Sequence, residues 1–138
     1  MDATLQFLQA LWALDHRLHA HSKRMKRSAG VTGPQRFVVR LLSLHGRMSP
    51  TDLARTLFFH KSTVSIILRS LEDARLVRRH ADPNDGRGAL LELTAKGARV
   101  ARQKRGTVEA SVRATLAKLP SRDIVAARRV LDRLAHAL

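Results

Sequence analysis

The sequence predicts a single, mainly α-helical domain with one small β-hairpin. Its 138 residues are the length of one ordinary domain. Apolar residues make up 44% of the chain, but aromatic residues only 4% and tyrosine is absent, so leucine, valine and alanine must build most of the core, which favours helices. The apolar spacing is helical along most of the chain and changes to a period of two only around residues 76–93.

The first two helices are predicted from apolar spacing and from their end signals. Apolar residues recur every three or four positions in the first 27 residues, and Gly30 ends that helix. They are Leu5, Leu8, Leu11, Trp12, Leu14 and Leu18. Thr32-Gly33-Pro34-Gln35 then has the form of a capping box with proline in the first turn. The second helix should run from there to His45, where Gly46 stops it.

Two shorter helices follow. Ser49-Pro50-Thr51-Asp52 repeats the capping pattern and begins a third helix, which should bury Leu53, Ala54 and Leu57. The next segment, KSTVSIILRSLEDARL, predicts a fourth helix with a narrow apolar stripe and a polar opposite face. The stripe consists of Val64, Ile67, Leu68 and Leu71. Two short helices with a tight connection are typical of a helix-turn-helix.

A β-hairpin is predicted directly after the fourth helix. Leu76–His80 and Ala89–Leu93 alternate with a period of two, and ADPNDGRG between them is dense in turn residues, with Arg87 at the tip. A hairpin in this place makes the unit a winged helix, whose wing lies along the DNA backbone or in the minor groove.

The C-terminal part should contain two more helices. Thr94 is a hydroxyl cap for one long helix towards Leu119, after which Pro120 and Ser121 end it and cap the last helix. The apolar positions of the long helix are Val100, Val108, Val112 and Leu116. In the last helix Ile124, Ala127, Leu131, Leu134 and Leu138 recur at intervals of three and four. This seam is suited to packing against partner helices.

Charge and composition narrow the function classes. The chain has 26 Lys and Arg against 11 Asp and Glu, a net charge of +15, which suits a polyanionic partner. Without cysteine there are no disulfides or thiolate zinc sites, and His16 and His19 lack a carboxylate cluster, so neither a metal nor another cofactor is expected. The sequence contains no nucleophile elbow, paired carboxylates or phosphate-binding glycine loop, so an enzyme is not expected. The short apolar runs predict a cytoplasmic protein without a membrane partner.

Two motifs carry a family resemblance that covers essentially the whole chain. ADPNDGRGALLELTAKG contains Asp-Pro, then Asp85-Gly86-Arg87, then Leu-Thr-x-x-Gly at Leu93–Gly97, and KSTVS stands at residues 61–65. Together they resemble the MarR family of bacterial transcription regulators. The resemblance implies one MarR-like domain over 1–138, with a winged helix lobe at about 32–94 flanked by N- and C-terminal dimerisation helices at about 1–30 and 95–138.

The resemblance and the helix face together give the candidate DNA-binding residues. They are Lys61, Ser62, Thr63, Ser65, Ile66, Arg69, Arg79, Asp85 and Arg87. In the family the wing arginine enters the minor groove while the neighbouring aspartate holds the wing, roles that pass to Arg87 and Asp85. The alternative is an ordinary polar helix face. Ser62 and Thr63 are also candidate helix caps, a role that can coexist with DNA contact. Ile66 and Gly86 stand where family members often carry arginine, so the operator sequence and the number of phosphate contacts should differ.

The resemblance further implies a homodimer, which would place two recognition helices roughly 34 Å apart on a pseudo-palindromic operator. Small-molecule effectors of the family commonly bind between the dimerisation helices and the DNA-binding lobe, where Trp12, His16, Phe37 and Arg40 should lie, although each also fits a core or surface role. The leading prediction is therefore a sequence-specific regulator, most often a repressor in this family, modulated by a small molecule. The alternative is a low-specificity, nucleoid-type DNA-binding protein.

Overall fold

The computed structural model describes residues Met1–Leu138 as seven helices and one two-stranded antiparallel sheet. In chain order the elements are α1 (Ala3–Ala29), α2 (Gly33–His45), α3 (Pro50–Leu57), α4 (Lys61–Asp73), β1 (Val77–Asp82), β2 (Asp85–Leu93), α5 (Ala95–Arg102), α6 (Val108–Leu116) and α7 (Ser121–Ala137). The predicted mainly α fold with a hairpin wing is confirmed. None of the helices combines the length and the apolar character that crossing a membrane requires.

The helix ends follow the local signals in the sequence. The Thr32 hydroxyl accepts the Gln35 amide while the Gln35 side chain accepts the Thr32 amide, which completes the predicted capping box. The Ser49 hydroxyl caps α3 by accepting the Asp52 amide at 3.1 Å. Gly30 ends α1 with a φ of 79°, a left-handed conformation that glycine adopts without steric cost.

The hydrophobic core lies wholly within the middle of the chain. Its buried apolar residues run from Met25 to Ala101, and α2, α3, α4 and the hairpin supply most of them. The two apolar sets predicted for α3 and α4 are all buried, so both faces are confirmed. In contrast, neither α6 nor α7 contains a buried residue.

The hairpin strands are longer than predicted. The ladder pairs Val77 with Leu93 and continues past Ala81 to an irregular pair at Asp82 and Asp85, which leaves only Pro83 and Asn84 as the turn. The Asp82 carboxylate accepts the Asn84 amide at 2.9 Å, a local aspartate turn that lets pairing continue to the tip. Arg87 therefore lies on β2 close to the tip and not in the turn itself, and Leu76 lies outside β1.

The prediction of one long helix from Thr94 to Leu119 is wrong. The helix ends at Arg102, and α6 begins only at Val108. Gly106 has a φ of 72°, and the buried Thr107 hydroxyl donates to the Lys104 carbonyl while accepting the Ala110 amide. These two residues make a turn and a new N-cap, which divides the helix. Ser121 likewise does not cap α7, because it is already the first helical residue.

The outer half of α1 presents an apolar stripe to solvent. Phe7, Leu11, Leu14 and Leu18 follow one another at intervals of four, three and four, and the same line continues seven residues later to the buried Met25. Leu14 is 51% exposed, whereas Met25 is 1% exposed. On α7, Leu131 is 46% exposed and Leu138 is fully exposed. Both helices thus leave apolar surface without a partner inside the chain.

Candidate nucleic-acid interface

The start of α4 has a free polar surface. Lys61, Ser62, Thr63, Ser65, Ile66 and Arg69 are all exposed, on the side of the helix away from its buried stripe. The N-cap is His60, without a side-chain hydrogen bond, so the alternative that Ser62 or Thr63 caps the helix is wrong. Ile66, an apolar residue within this polar surface, is 67% exposed.

The wing is fastened to α4 by an ion pair. The Arg79 guanidinium on β1 donates to both carboxylate oxygens of Glu72, at 3.0 Å and 3.3 Å. Hydrogen bonding to Glu72 raises the pKa of Arg79, because the bond favours the charged form. Arg79 is predicted to contact DNA; its side chain is 46% exposed and paired with Glu72 in this structure, and the DNA contact stays a prediction.

A second carboxylate holds the base of the wing. Glu92 on β2 lies 2.5 Å from the His80 ring, 3.4 Å from Arg78 and 3.6 Å from Arg47. The pKa of Glu92 is lowered, mainly by the hydrogen bond with His80 and further by the charges of Arg47 and Arg78. The sequence analysis missed Glu92 and Glu72. The hairpin register offers a signal for Glu92, since it stands directly opposite Arg78.

At the wing tip, Asp85 braces the backbone and Arg87 is free. The Asp85 carboxylate accepts the Arg87 amide at 3.1 Å. A Cβ at Gly88 would lie 3.0 Å from the other Asp85 oxygen, so a larger residue there would require the Asp85 side chain to shift by a few tenths of an ångström. The Arg87 side chain is exposed. The geometry agrees with the expectation that Asp85 holds the wing while Arg87 projects from it.

The Leu-Thr-x-x-Gly motif joins the wing to the helices behind it. The Thr94 hydroxyl donates to the Arg75 carbonyl at 2.7 Å and accepts the Gly97 amide at 3.1 Å. A Cβ built at Gly97 would stand 2.0 Å from the Leu76 carbonyl oxygen, closer than any side chain permits. The motif therefore allows α5 to pack directly onto the chain between α4 and β1.

A cluster of three arginines around Glu109, of which only Arg36 is buried, connects α2 to the C-terminal helices. The Arg36 guanidinium donates to the Val100 carbonyl at 2.8 Å and lies 3.3 Å from Glu109, which also pairs with Arg40 at 3.4 Å and Arg113 at 2.9 Å. Burial lowers the pKa of Arg36, and Glu109 opposes that shift. The Arg36 Nε is buried without a hydrogen-bond partner. No local sequence pattern predicts this cluster, because α2 and the residues it contacts are far apart in the chain.

The four residues predicted for an effector pocket lie on α1 and α2. His16 lines a shallow, open cleft formed by residues of α1 alone, with Ala13, Arg17, Ala20, His21 and Arg24. Trp12, Phe37 and Arg40 do not line that cleft, and Arg40 is paired with Glu109. Trp12 and Phe37 are largely exposed. The cleft at His16 and the arginine cluster at Arg40 are therefore separate features of the chain.

The comparisons with known proteins agree with this arrangement. A sequence model of the MarR family matches residues 29–88, from the end of α1 to the wing. The HTH-type transcriptional repressor Rv2887 of Mycobacterium tuberculosis is 32% identical over 105 residues, which are 76% of this chain and 76% of that protein.

The chain belongs to the MarR family.

Solved structures of MarR proteins share its fold over nearly the whole chain. Sco3205, a MarR family transcriptional regulator from Streptomyces coelicolor in complex with DNA, superposes with a TM-score of 0.81 at 24% identity, covering 100% of this chain and 89% of that one. The PcaV transcriptional regulator from the same organism, in complex with its natural ligand, gives a TM-score of 0.80 at 22% identity, with coverage of 99% and 96%. The predicted winged helix fold of the MarR family is confirmed.

Proposed function

We propose that this protein binds duplex DNA sequence-specifically as a homodimer and represses transcription. The observation that carries the proposal is the free polar face of α4, with Ser65, Ile66 and Arg69 exposed beside a wing held in place by Glu72. A helix can enter the major groove only with an unobstructed face, and side chains free of structural bonds are available to the base edges. The M. tuberculosis relative is named a repressor, which supports the direction of control.

Each exposed group has a chemical task in this proposal. Arg69 is the donor for a guanine or a phosphate, and Ser65 bonds to either a base edge or the backbone. Ile66 cannot donate and instead contacts a thymine methyl group. Arg87 enters the minor groove, where a narrow A·T-rich segment focuses negative potential. Arg79 acts indirectly by keeping the wing at the correct distance from α4.

The dimer follows from the apolar surfaces of α1 and α7. Exposed leucines on both helices would form an adhesive patch on a monomer in water. A second copy that covers Leu14, Leu18 and Leu131 removes that patch. It also sets the two winged helix lobes, which we call the reading heads, side by side. The pair would then match a pseudo-palindromic operator with half-sites about one DNA turn, roughly 34 Å, apart.

A small-molecule effector belongs to the same proposal. PcaV was solved with its natural ligand and a MepR-like protein with pseudoligands, so the fold accommodates ligands in relatives. In this chain the cleft at His16 lies on the proposed dimerisation helix α1, and Arg40 lies on α2 of the winged helix lobe. A ligand that prefers one spacing of the two heads would change DNA affinity through that preference alone.

Selection and competition binding test the DNA-binding proposal. The full chain is incubated with fragments of its own genome at fixed salt, and the best duplex is then competed against random duplex. We expect a preference of 10³ or more, as specific regulators show, and a palindromic footprint. A preference close to one would instead support the nucleoid-type alternative.

A further inference from the structure

A second basic surface lies outside the winged helix, where the end of α1 meets the loop between α5 and α6. We call it the α1–loop patch and define it as Lys23, Arg24, Lys26, Arg27, Arg102, Lys104 and Arg105. All seven side chains are exposed. None of them forms an ion pair with a carboxylate, although eleven such pairs occur elsewhere in the chain.

The fold brings the two segments of the patch together. A Cβ built at Gly106 would lie 3.9 Å from the Ser28 hydroxyl, so the loop runs against the last turn of α1. The Ser28 hydroxyl donates to the Arg24 carbonyl at 3.3 Å, and the Thr107 hydroxyl donates to the Lys104 carbonyl at 3.0 Å. Both backbones are therefore fixed. The Lys26 ammonium donates to the Gly30 carbonyl at 3.1 Å, and the other six cationic side chains form no hydrogen bond within the chain.

The patch borders the reading head. The Ser22 hydroxyl on α1 accepts the Gly33 amide at 2.7 Å, which ties the end of α1 to the start of α2. Two residues further, the Gln35 side chain donates to the Ser70 hydroxyl at 3.0 Å, and Ser70 directly follows the candidate DNA contact Arg69. The start of α2, beside which the patch stands, is thus bonded to the C-terminal half of α4.

We infer that the α1–loop patch binds the phosphate backbone of duplex DNA outside the bases read by α4 and the wing. This inference rests on the proposed function. On α4 and the hairpin strands, the cations without a carboxylate partner are Lys61, Arg69 and Arg87, so the patch holds more than twice as many. Lysine and arginine side chains on a fixed backbone neutralise phosphates and release counterions, which raises affinity without reading sequence.

The composition of the patch favours duplex DNA over other polyanions. Neither 23–27 nor 102–105 contains an aromatic residue, whereas surfaces that bind single strands stack bases on aromatic rings. Binding in a membrane interface requires an exposed apolar face, but the apolar residues in this part of α1, Met25 and Ala29, are buried in the core. A rigid line of phosphates needs neither feature.

Salt-dependent binding of two matched variants tests the inference. The patch variant carries Lys104→Gln and Arg105→Gln, and the control variant carries Arg129→Gln and Arg133→Gln on the outer face of α7, which removes the same charge from side chains that are equally unpaired. Dissociation constants are measured from low to moderate salt on a 40-base-pair duplex, a length of about four helical turns, carrying the best selected site. The patch variant should reduce the slope of log K against log salt by about two to four units, because each phosphate contact contributes about 0.9 and two copies each lose two cations.

Each outcome bears on one proposal. A smaller slope for the patch variant alone, with the base preference of the site unchanged, supports the inference. Equal slopes for all three proteins, or an equal reduction in the control, would overturn it while leaving the sequence-specific function intact. Loss of binding to heteropolymeric RNA or to anionic vesicles, with duplex binding unaltered, would overturn it in favour of another partner. If no duplex is preferred by the unsubstituted chain, the proposed function itself fails.

Discussion

At the residue scale, side chains of this protein divide into those that hold the reading head together and those that are free to bind. Arg79 and Asp85 are bonded within the chain, to Glu72 and to the Arg87 amide. Ser65, Ile66, Arg69 and Arg87 form no such bonds through their side chains. The second group is where substitutions should change DNA binding without changing stability, because exposed side chains away from such bonds usually contribute little to folding.

Replacing Arg87 by alanine should weaken binding to most DNA sequences. The slope of log K against log salt should fall by about one unit for each bound copy, since one groove-focused cation is lost. Fluorescence anisotropy over a salt series measures this, with thermal unfolding as the control for stability. An unchanged slope and affinity would exclude the wing from the binding mechanism.

Replacing Gly97 by alanine should destabilise the fold. The added Cβ would stand 2.0 Å from the Leu76 carbonyl oxygen, so either α5 or the chain before β1 must move, at a cost of about 2 kcal/mol or more. Gly86→Ala is the matched control, because a Cβ there meets nothing within 4 Å. Urea denaturation compares the two variants. Equal stabilities for both would mean that the close approach of α5 to Leu76 is not required.

At the scale of elements, the hairpin is attached at two levels. Arg79 binds α4 near the middle of β1, and Glu92 gathers Arg78, His80 and Arg47 at the base. The backbone of Met48 also pairs with Leu91, which adds the chain before α3 to the edge of β2. The position of the wing relative to α4 therefore depends on two half-buried carboxylates, those of Glu72 and Glu92.

The hairpin should loosen in acid because of Glu92. Its folded-state pKa lies below the ordinary 4.5, so the stabilisation it provides is fully present above that value and is lost as pH falls through the lower, folded-state pKa. The protection factors of β1 amides against hydrogen exchange, which are corrected for the intrinsic slowing of exchange in acid, should fall over this range. In Glu92→Gln this acid-dependent fall should vanish, whereas Asp123→Asn on α7 should retain it. Identical pH profiles for Glu92→Gln and the parent chain would refute the assignment.

Local signals in the sequence predicted most elements but not their long-range connections. The caps at Thr32, Ser49 and Thr94 act within four residues, so they could be identified from sequence alone. The division between α5 and α6 was missed because valines on both sides keep the helical period, although Gly106 and Thr107 mark the break. The bond from Arg36 to the Val100 carbonyl spans 64 residues and has no signature in either segment.

At the scale of the whole molecule, the hydrophobic core lies mostly in the winged helix lobe, whereas the outer half of α1 and the helices α6 and α7 are largely exposed. The core ends at Ala101, and the remaining helices contribute no buried residue of their own except for the cap at Thr107. The arginine cluster around Glu109 is the polar link between α2 of the winged helix lobe and α6. The way in which α1, α6 and α7 pack against a second copy should therefore control the distance between the two winged helix lobes.

Replacing Leu131 by aspartate should dissociate the proposed dimer. Leu131 lies at the centre of the apolar seam of α7 and is 46% exposed within one chain, so a carboxylate there is tolerated by the monomer but is buried without a partner in the dimer. Sedimentation velocity at micromolar concentration should show a monomer, and operator affinity should fall with it. Ala126→Asp, on the opposite face of α7, should remain dimeric. A dimeric Leu131→Asp protein would place the interface elsewhere.

The parts of the candidate site that lie on a single helix could be predicted from the sequence. The parts that depend on contacts between elements could not. The exposed face of α4 follows from helical period, because the buried stripe identifies the opposite side. The engagement of Arg79 with Glu72 depends on how β1 crosses α4, a tertiary relation that neither segment encodes. The effector pocket stays a prediction, because Trp12 and His16 lie on α1 and Phe37 and Arg40 on α2, and only tertiary packing determines whether they share a cavity.

The freedom of Ser65, Ile66 and Arg69 from internal bonds has a consequence for how this protein can change over generations. New operator preferences are accessible through single exchanges at these three positions, since none of them supports the scaffold. Glu72 and Glu92 are less free to change, because replacing either would shift the wing, which contacts every operator in the proposed function. Sequence differences between paralogues should accordingly accumulate on the exposed face of α4, while Glu72 and Glu92 stay unchanged.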